Sequence, residues 1–242
     1  MGNDIVTSLK DFGAYATYPL HMDVNEWFYG AMILEGLVVI STTDAVIKEK
    51  FSTSTRLDYN HNFWDIPTAY GEPLVAGILG TGIYFTGLFT HNNSIRVTGR
   101  LLLETLTLAG IMDVSSKYLT GRDRPYFSND QYRFKAFQSK GEHVSFPSGH
   151  TTTAFAVSTV LAERIDNTYA RIGFYTLASL TACARVRNNV HWFSDVVAGS
   201  ILGFGTGYFI VHRESVRIQK SKNGGGLSFY PLTNGFNLVW KW

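Results

Sequence analysis

Three short stretches of the sequence contain residue types that can bind and transform an anion. The first, Pro147-Ser148-Gly149-His150, stands just before an apolar run from Thr152 to Leu161. Ser is a good helix cap, and Pro and Gly interrupt regular structure, so this stretch predicts a loop that enters a helix. The first N–H groups of a helix lack partners and favour anions. Ser148 and Gly149 would add donors, and His150 a proton that moves near neutral pH.

The second stretch runs from Lys117 to Pro125. Gly121 predicts a helix C-terminus between Lys117 and Arg124, and Pro125 favours an extended backbone at Arg124. The two cations can therefore approach one anion from different directions. Asp113 lies one helical turn before Lys117 and could pair with it.

The third stretch contains Arg185, His191 and Asp195. His191 and Asp195 are four residues apart and would share one face of a helix. Asp195 could accept from one ring nitrogen and hold the tautomer whose other nitrogen is free to attack. The guanidinium of Arg185 directs two donors onto phosphate oxygens. Together the three stretches predict a site for a phosphate-like anion.

The order and spacing of these residues are Lys117-x6-Arg124-Pro125, Pro147-Ser148-Gly149-His150 and Arg185-x5-His191-x3-Asp195. This pattern resembles the three-part signature of the type 2 phosphatidic acid phosphatase and vanadium haloperoxidase superfamily. One departure is Ala184, where many members of that family have Ser before the Arg. That Ser is not among the family's catalytic groups, so the departure puts little in doubt.

The resemblance implies a role for each residue of the three stretches. His191 would be the nucleophile that forms a phosphohistidine, Asp195 its orienting carboxylate, and His150 the general acid that protonates the leaving alkoxide. The cradle for the phosphoryl oxygens would consist of Lys117, Arg124, Arg185, Ser148 and the Gly149 amide. Fixed side-chain cations can do what metal ions do elsewhere, so no metal or other cofactor is expected. Phosphate or vanadate can occupy such a site.

Apolar helical patterns predict the elements that would position these residues. They cover residues 26–43, 74–90, 94–119, 151–164, 169–186 and 191–212, with a shorter helix near 45–51. Residues 1–24 predict an irregular arm with one short helix, 62–73 a loop, and 126–146 a long loop that serves as a lid or as a substrate-facing segment. We therefore expect an all-α helical bundle of the type 2 phosphatidic acid phosphatase and haloperoxidase kind.

The chain ends in a segment of different composition. Residues 1–222 are expected to form a single helical phosphatase domain, and 223–242 a Gly-rich linker with a hairpin-like tail. The dipeptide Asn234-Gly235 between two apolar runs is the hairpin signal. Among the residues that flank the motifs, Arg122, Asp123 and Arg187 are expected to be solvated, and His143 to be exposed.

Composition limits the protein class. A chain of 242 residues with 45% apolar residues suits one folded domain, and a net charge of +2 without a basic stripe gives nucleic-acid binding no support. The single cysteine rules out a disulfide framework. The longest charge-free apolar stretches, 74–90 and 196–211, are shorter than the roughly 20 residues of a spanning helix. This favours a water-soluble or peripherally attached domain, with contact to a membrane surface.

Three functions are compatible with these residues. The first is a metal-independent phosphatase that hydrolyses phosphate monoesters or pyrophosphates of lipids, or small phosphoesters. The second is a vanadate-dependent haloperoxidase, because the same cradle would bind vanadate. The third is a non-enzymatic helical binder of lipid phosphates. The resemblance implies a location in a bacterial envelope, with the site on the periplasmic side.

Overall fold

Helices make up most of the computed structural model, which describes residues 2–52, 63–222, 228–232 and 235–239. The helices are α1 (Gly2–Thr17), α2 (Val24–Ser41), α3 (Asp44–Phe51), α4 (Asp65–Tyr70), α5 (Pro73–Phe89), α6 (Asn93–Thr120), α7 (Gly149–Arg164), α8 (Thr168–Arg187) and α9 (Phe193–Lys222). Short 3-10 helices cover Tyr18–His21 and Gly141–His143. The predicted all-α class is confirmed.

The predicted hairpin is present at the C-terminal end. Strand β1 (Ser228–Leu232) pairs antiparallel with β2 (Gly235–Val239), with Leu232 opposite Gly235. Asn234 and the glycine-rich segment 223–227 lie outside the described residues. The boundary expected between residues 222 and 223 stays a prediction.

Capping residues fix the ends of the helices that carry the site. The Asn92 side chain accepts from the amide of Ile95 at the start of α6, and Gly121 ends that helix with a left-handed φ of 57°. A side chain at Gly121 would also collide with the backbone of Lys135, so only glycine fits there. The Asn167 side chain caps α8 in the same way as Asn92 caps α6.

Helix α7 is the centre of the bundle and packs against α6, α8 and α9. Its Val157 and Val160 are fully buried against Leu101 and Leu102 of α6 and Ile210 of α9. The N-termini of α7 and α9 and the C-termini of α6 and α8 then meet at one end of the bundle. Each of the three sequence stretches contributes to this end.

The N-terminal third differs from the sequence prediction in two places. The sequence predicts an irregular arm at the N-terminus, but residues 2–17 form the regular helix α1. This helix is held against α9 because Asp11 is fully buried and pairs with Arg213 and Arg217. The predicted loop 62–73 contains helix α4. Pro67 is tolerated there because it lies in the first turn, where its missing N–H has no helical partner to lose.

Large apolar side chains are exposed on several helices. Helix α2 buries none of its residues, and Trp27, Phe28 and Leu34 each expose more than half of their surface. By length and composition, residues 193–220 of α9 could cross a membrane, although 56% of the apolar window of this helix is buried in the bundle. Helices α2 and α3 satisfy the same test only when taken together as one element bent by 50°.

Candidate active site

His191 is buried two residues before α9, which begins at Phe193 and not at the predicted residue 191, and one of its ring nitrogens is committed to the backbone. Its Nδ1 lies 2.8 Å from the carbonyl oxygen of Ser145. Because a carbonyl only accepts, Nδ1 carries the proton and Nε2 holds a free electron pair. A guanidinium N–H of Arg124 lies 3.5 Å from that Nε2. Burial, together with the Arg124 and Arg185 charges, lowers the pKa of His191 to about 3, so the ring is neutral at neutral pH.

The Asp195 carboxylate has a different relationship to His191 from the one expected. It lies 3.6 Å from Nδ1, beyond hydrogen-bond distance, and therefore acts on the ring through its charge. Its oxygens instead accept from the Ser145 hydroxyl, the Trp192 amide and the Arg122 guanidinium. The carboxylate thus holds Ser145 and Trp192, which lie on either side of the imidazole. The hydrogen bond from Nδ1 that the sequence assigns to Asp195 goes instead to the Ser145 carbonyl.

Arg122 was expected to be solvated, but it is 2% exposed and joins two buried carboxylates. Its guanidinium donates to Asp195 at 2.6 Å and to Asp44 of α3 at 2.7 Å. Asp44 also accepts from the amide and hydroxyl of Ser194. Sequence reasoning missed Asp44, because nothing in a polar stretch of the N-terminal third marks one carboxylate as a partner of a residue 78 positions away.

His150 stands in the first turn of α7 and faces the cations of the other two stretches. Burial and the charges of Arg185, Arg124 and Lys117 lower its pKa to about 3. All three cations of the predicted cradle therefore act electrostatically on this one imidazole. On its other side, Nε2 lies 2.9 Å from a carboxylate oxygen of Glu72, which the sequence did not single out.

Arg124 and Arg185 are the two guanidinium groups of the site. Arg124 is anchored by donation to the Gly141 and Val190 carbonyls. Nε of Arg185 is buried and has no hydrogen-bond partner among the described residues. Burial and the Arg124 charge lower the pKa of Arg185 to about 10. A buried donor without a partner is rare, and an anion beside Arg185 would satisfy it.

Lys117 supplies charge to the site rather than a free donor. Its ammonium group donates to both oxygens of Asp113 at 2.5 Å and to the Pro147 carbonyl at 2.7 Å. The predicted pairing of Asp113 with Lys117 is therefore present.

Ser148 does not cap α7 with its side chain; its hydroxyl accepts from Thr151 and its amide donates to the Asp195 carbonyl. Gly149 is the first residue of α7.

The long segment 121–146 is tied to the bundle and forms a fixed wall of the site. Backbone bonds join Asp123 to Arg133 and Arg124 to Glu142. His143, expected to be exposed, is buried and bonds through Nδ1 to Asp123. Asp123 was expected to be solvated and is also buried. Its carbonyl accepts from the indole of Trp192, which links this wall to α9.

Within the ranges that the structure describes, no group of three or more His, Cys, Asp or Glu side chains is arranged to hold a metal ion. The site contains two imidazoles, both neutral at neutral pH, and the three side-chain cations Lys117, Arg124 and Arg185.

Comparison with known proteins gives three informative matches. A family model described as the PAP2 superfamily matches residues 98–218. A lipid A 1-phosphatase of Porphyromonas gingivalis is 32% identical over 120 residues, which are 48% of this chain and 24% of that protein. An acid phosphatase of Zymomonas mobilis is 37% identical over 86 residues, 35% of this chain and 32% of that protein.

Among solved structures, the crystal structure of Aquifex aeolicus LpxE matches with a TM-score of 0.43 and 21% identity. The match covers 64% of this chain and 97% of that one. The chain thus spans about a quarter to a third of the length of the two curated relatives given above.

Proposed function

Because the chain belongs to the PAP2 superfamily, we propose that it is a phosphatase that hydrolyses phosphate monoesters or pyrophosphates of lipids. The reaction would proceed through a phosphohistidine on His191 and would need no metal ion. The observation that carries this proposal is the Nδ1 bond from His191 to the Ser145 carbonyl, which leaves Nε2 unprotonated beside Arg124. An electron pair held next to a fixed cation suits attack on an anionic phosphoryl group.

In the first step, Nε2 of His191 attacks phosphorus, and the electrons of the P–O bond move to the leaving oxygen. His150 gives that oxygen its proton. In the second step, water gives a proton to His150 and attacks the phosphohistidine, which releases phosphate and restores His191. The guanidinium groups of Arg124 and Arg185 hold the equatorial oxygens, and their charge lowers the barrier at both steps.

An apolar groove supports a lipid substrate. It lies between α5, α6 and α7, encloses about 320 Å³, and is lined by Pro73, Gly77, Leu106, Gly110 and Val114 among others. Asp113 and Gly149 also line the groove, and Asp113 accepts from Lys117 of the cradle. A chain in this groove would have its phosphate end at the cradle.

The exposed apolar surface supports membrane association. A soluble monomer rarely exposes large contiguous apolar patches, and α2 presents aromatic and aliphatic residues on all sides. One of the similar proteins is the lipid A 1-phosphatase of Porphyromonas gingivalis. We propose contact with a bacterial envelope membrane; the periplasmic side, which the sequence pattern implied, stays a prediction.

The test is release of inorganic phosphate from detergent-solubilised protein in EDTA. The panel contains phosphatidate, phosphatidylglycerophosphate, undecaprenyl pyrophosphate, lipid A and a soluble aryl phosphate. Turnover of at least one lipid substrate with chelator present is expected. Activity that vanishes in EDTA and returns with magnesium would contradict the proposal. Halide oxidation by a vanadate-loaded sample with peroxide would instead favour the haloperoxidase.

A further inference from the structure

The carboxylate of Glu72 contacts His150 from outside the three sequence stretches. Its Oε2 lies 2.9 Å from Nε2 of His150. Glu72 stands in the turn between α4 and α5, and residues 98–218, which match the family, do not include it. The contact is therefore a feature of this chain's N-terminal part.

The turn that carries Glu72 is held closely against α7 and α8. A Cβ on Gly71 would lie 2.6 Å from the carbonyl oxygen of His150 and 2.6 Å from the methyl group of Thr181, so only glycine permits this approach. Thr181 donates to the Pro67 carbonyl at 2.6 Å, and the Tyr70 hydroxyl bonds to Ser158 of α7 at 2.8 Å. The backbone beside Glu72 is thus fixed relative to His150.

The charges around His150 explain why a carboxylate matters at this position. Lys117 of α6, Arg124 of the following segment and Arg185 of α8 all disfavour its protonated form. The ring is therefore neutral in the free enzyme at neutral pH, and it must carry a second proton in the complex with the anionic substrate to act as a general acid. A carboxylate in contact with the ring favours the imidazolium and opposes the three cations.

The nearby carboxylates of the motifs are committed to other partners. Both oxygens of Asp113 accept from Lys117. Asp195 accepts from Arg122 and Ser145 and lies on the side of His191. Glu72 is the carboxylate that an ion-pair contact joins to His150 within the described part of the chain.

We propose that Glu72 is a positioning residue: it accepts from Nε2–H of His150, orients the ring and opposes the three cations, so that the ring can carry the second proton that it gives to the leaving oxygen in the complex with substrate. The proposal rests on the proposed function, in which His150 is the acid. With Nε2–H bonded to Glu72, the N–H bond at Nδ1 of the imidazolium breaks as the O–H bond of the leaving alcohol forms, and the P–O electrons go to that oxygen. The water of the second step returns the proton, and Glu72 again pairs with the imidazolium.

The test compares Glu72→Gln and Glu72→Asp with the wild-type protein in the pH profile of kcat for an aryl phosphate. The basic limb of that profile reports the acid of the enzyme–substrate complex. Loss of the carboxylate in Glu72→Gln should move this limb to lower pH by about one unit, and Glu72→Asp should move it less. Glu163→Gln is the matched control, because Glu163 is a part-exposed carboxylate on α7 that pairs with Arg171.

Superimposable basic limbs for Glu72→Gln and wild type would overturn the proposal. An equal loss of rate at every pH would overturn it too, because that result describes a structural role. Histidine NMR titration in phosphate-free buffer gives a readout independent of turnover: the His150 ring should deprotonate at lower pH in Glu72→Gln. If the wild type hydrolyses no substrate but the titration shifts, the proposed function fails and the Glu72 contact stands.

Discussion

The carbonyl oxygen of Ser145 lies 2.8 Å from Nδ1 of His191 and fixes which nitrogen of that ring carries the proton. A residue three positions before Ser148 therefore sets the tautomer of a residue just before α9. The Asp195 carboxylate, 3.6 Å from the same nitrogen, also binds the Ser145 hydroxyl. Nδ1 is held by backbone, and the nitrogen left for chemistry is Nε2.

Replacing the nucleophile should abolish turnover. We expect His191→Ala to lower kcat by roughly 10³-fold or more while the helices persist, because the phosphohistidine cannot form. His212→Ala, an exposed histidine on α9, should keep wild-type kcat. Phosphate release and far-UV circular dichroism are the measurements. Full activity in His191→Ala would exclude His191 as nucleophile.

The buried Arg122 should be essential for stability. Its removal leaves Asp44 and Asp195 buried without their cation, and breaking a buried pair in this way costs about 3–5 kcal/mol. Arg122→Ala should lower the free energy of unfolding by that order in urea titration. Arg133→Ala, whose side chain is 46% exposed beside Asp123, should cost about 1 kcal/mol or less. Equal effects of the two substitutions would contradict the role assigned to Arg122.

Stability should fall with acidification through the pKa of His191. The ring has an ordinary pKa of 6.5 when unfolded and about 3 when folded, so below about pH 6.5 the unfolded state binds a proton that the folded state refuses. The free energy of unfolding should decrease as the pH falls from about 6.5 to about 3, by up to about 1.4 kcal/mol per unit for this group. His191→Gln, which cannot titrate, should show a shallower decrease in urea titrations; an unchanged slope would be inconsistent with a depressed pKa.

The same pKa sets the acid limb of activity. A neutral His191 is needed for attack, and it is neutral above about pH 3. The kcat/KM profile should therefore show no histidine-like loss of rate near pH 6.5 on its acid side. A steep loss of rate near pH 6.5 that the ionisation of the substrate does not explain would mean that His191 titrates as an ordinary exposed ring.

Filling the apolar groove should distinguish lipid from soluble substrates. A side chain at Gly110 would meet nothing within 4 Å, so Gly110→Leu places its apolar atoms in the groove without a clash. We expect kcat/KM for a long-chain lipid phosphate to fall roughly tenfold, as expected when about two methylenes lose their contacts. The aryl phosphate should be hydrolysed as before.

The control for this prediction is Gly173→Leu on α8. A side chain there also meets nothing within 4 Å, and Gly173 does not line the groove. Equal losses with both substrates in Gly110→Leu would indicate damage to the bundle. Unchanged lipid turnover would exclude the groove as the chain-binding surface.

The sequence by itself determined the helices and the chemical inventory of the site. Apolar periodicity predicted α5 to α8 within a few residues, because each of these helices has an apolar face and clear end signals such as Gly121. The spacing of the motif residues was also sufficient to place His150, His191 and the three cations at helix ends.

Only the tertiary structure decided how these groups are held. Arg122 and His143 were expected at the surface, yet both are buried, because carboxylates compensate for the loss of solvent: Asp44 and Asp195 from distant helices for Arg122, and Asp123 of the same segment for His143. Asp44 of α3 and Glu72 of the turn before α5 reach the site from segments that carry no motif. Local patterns record helix periodicity and caps, whereas contacts between residues about 80 positions apart depend on how whole helices pack.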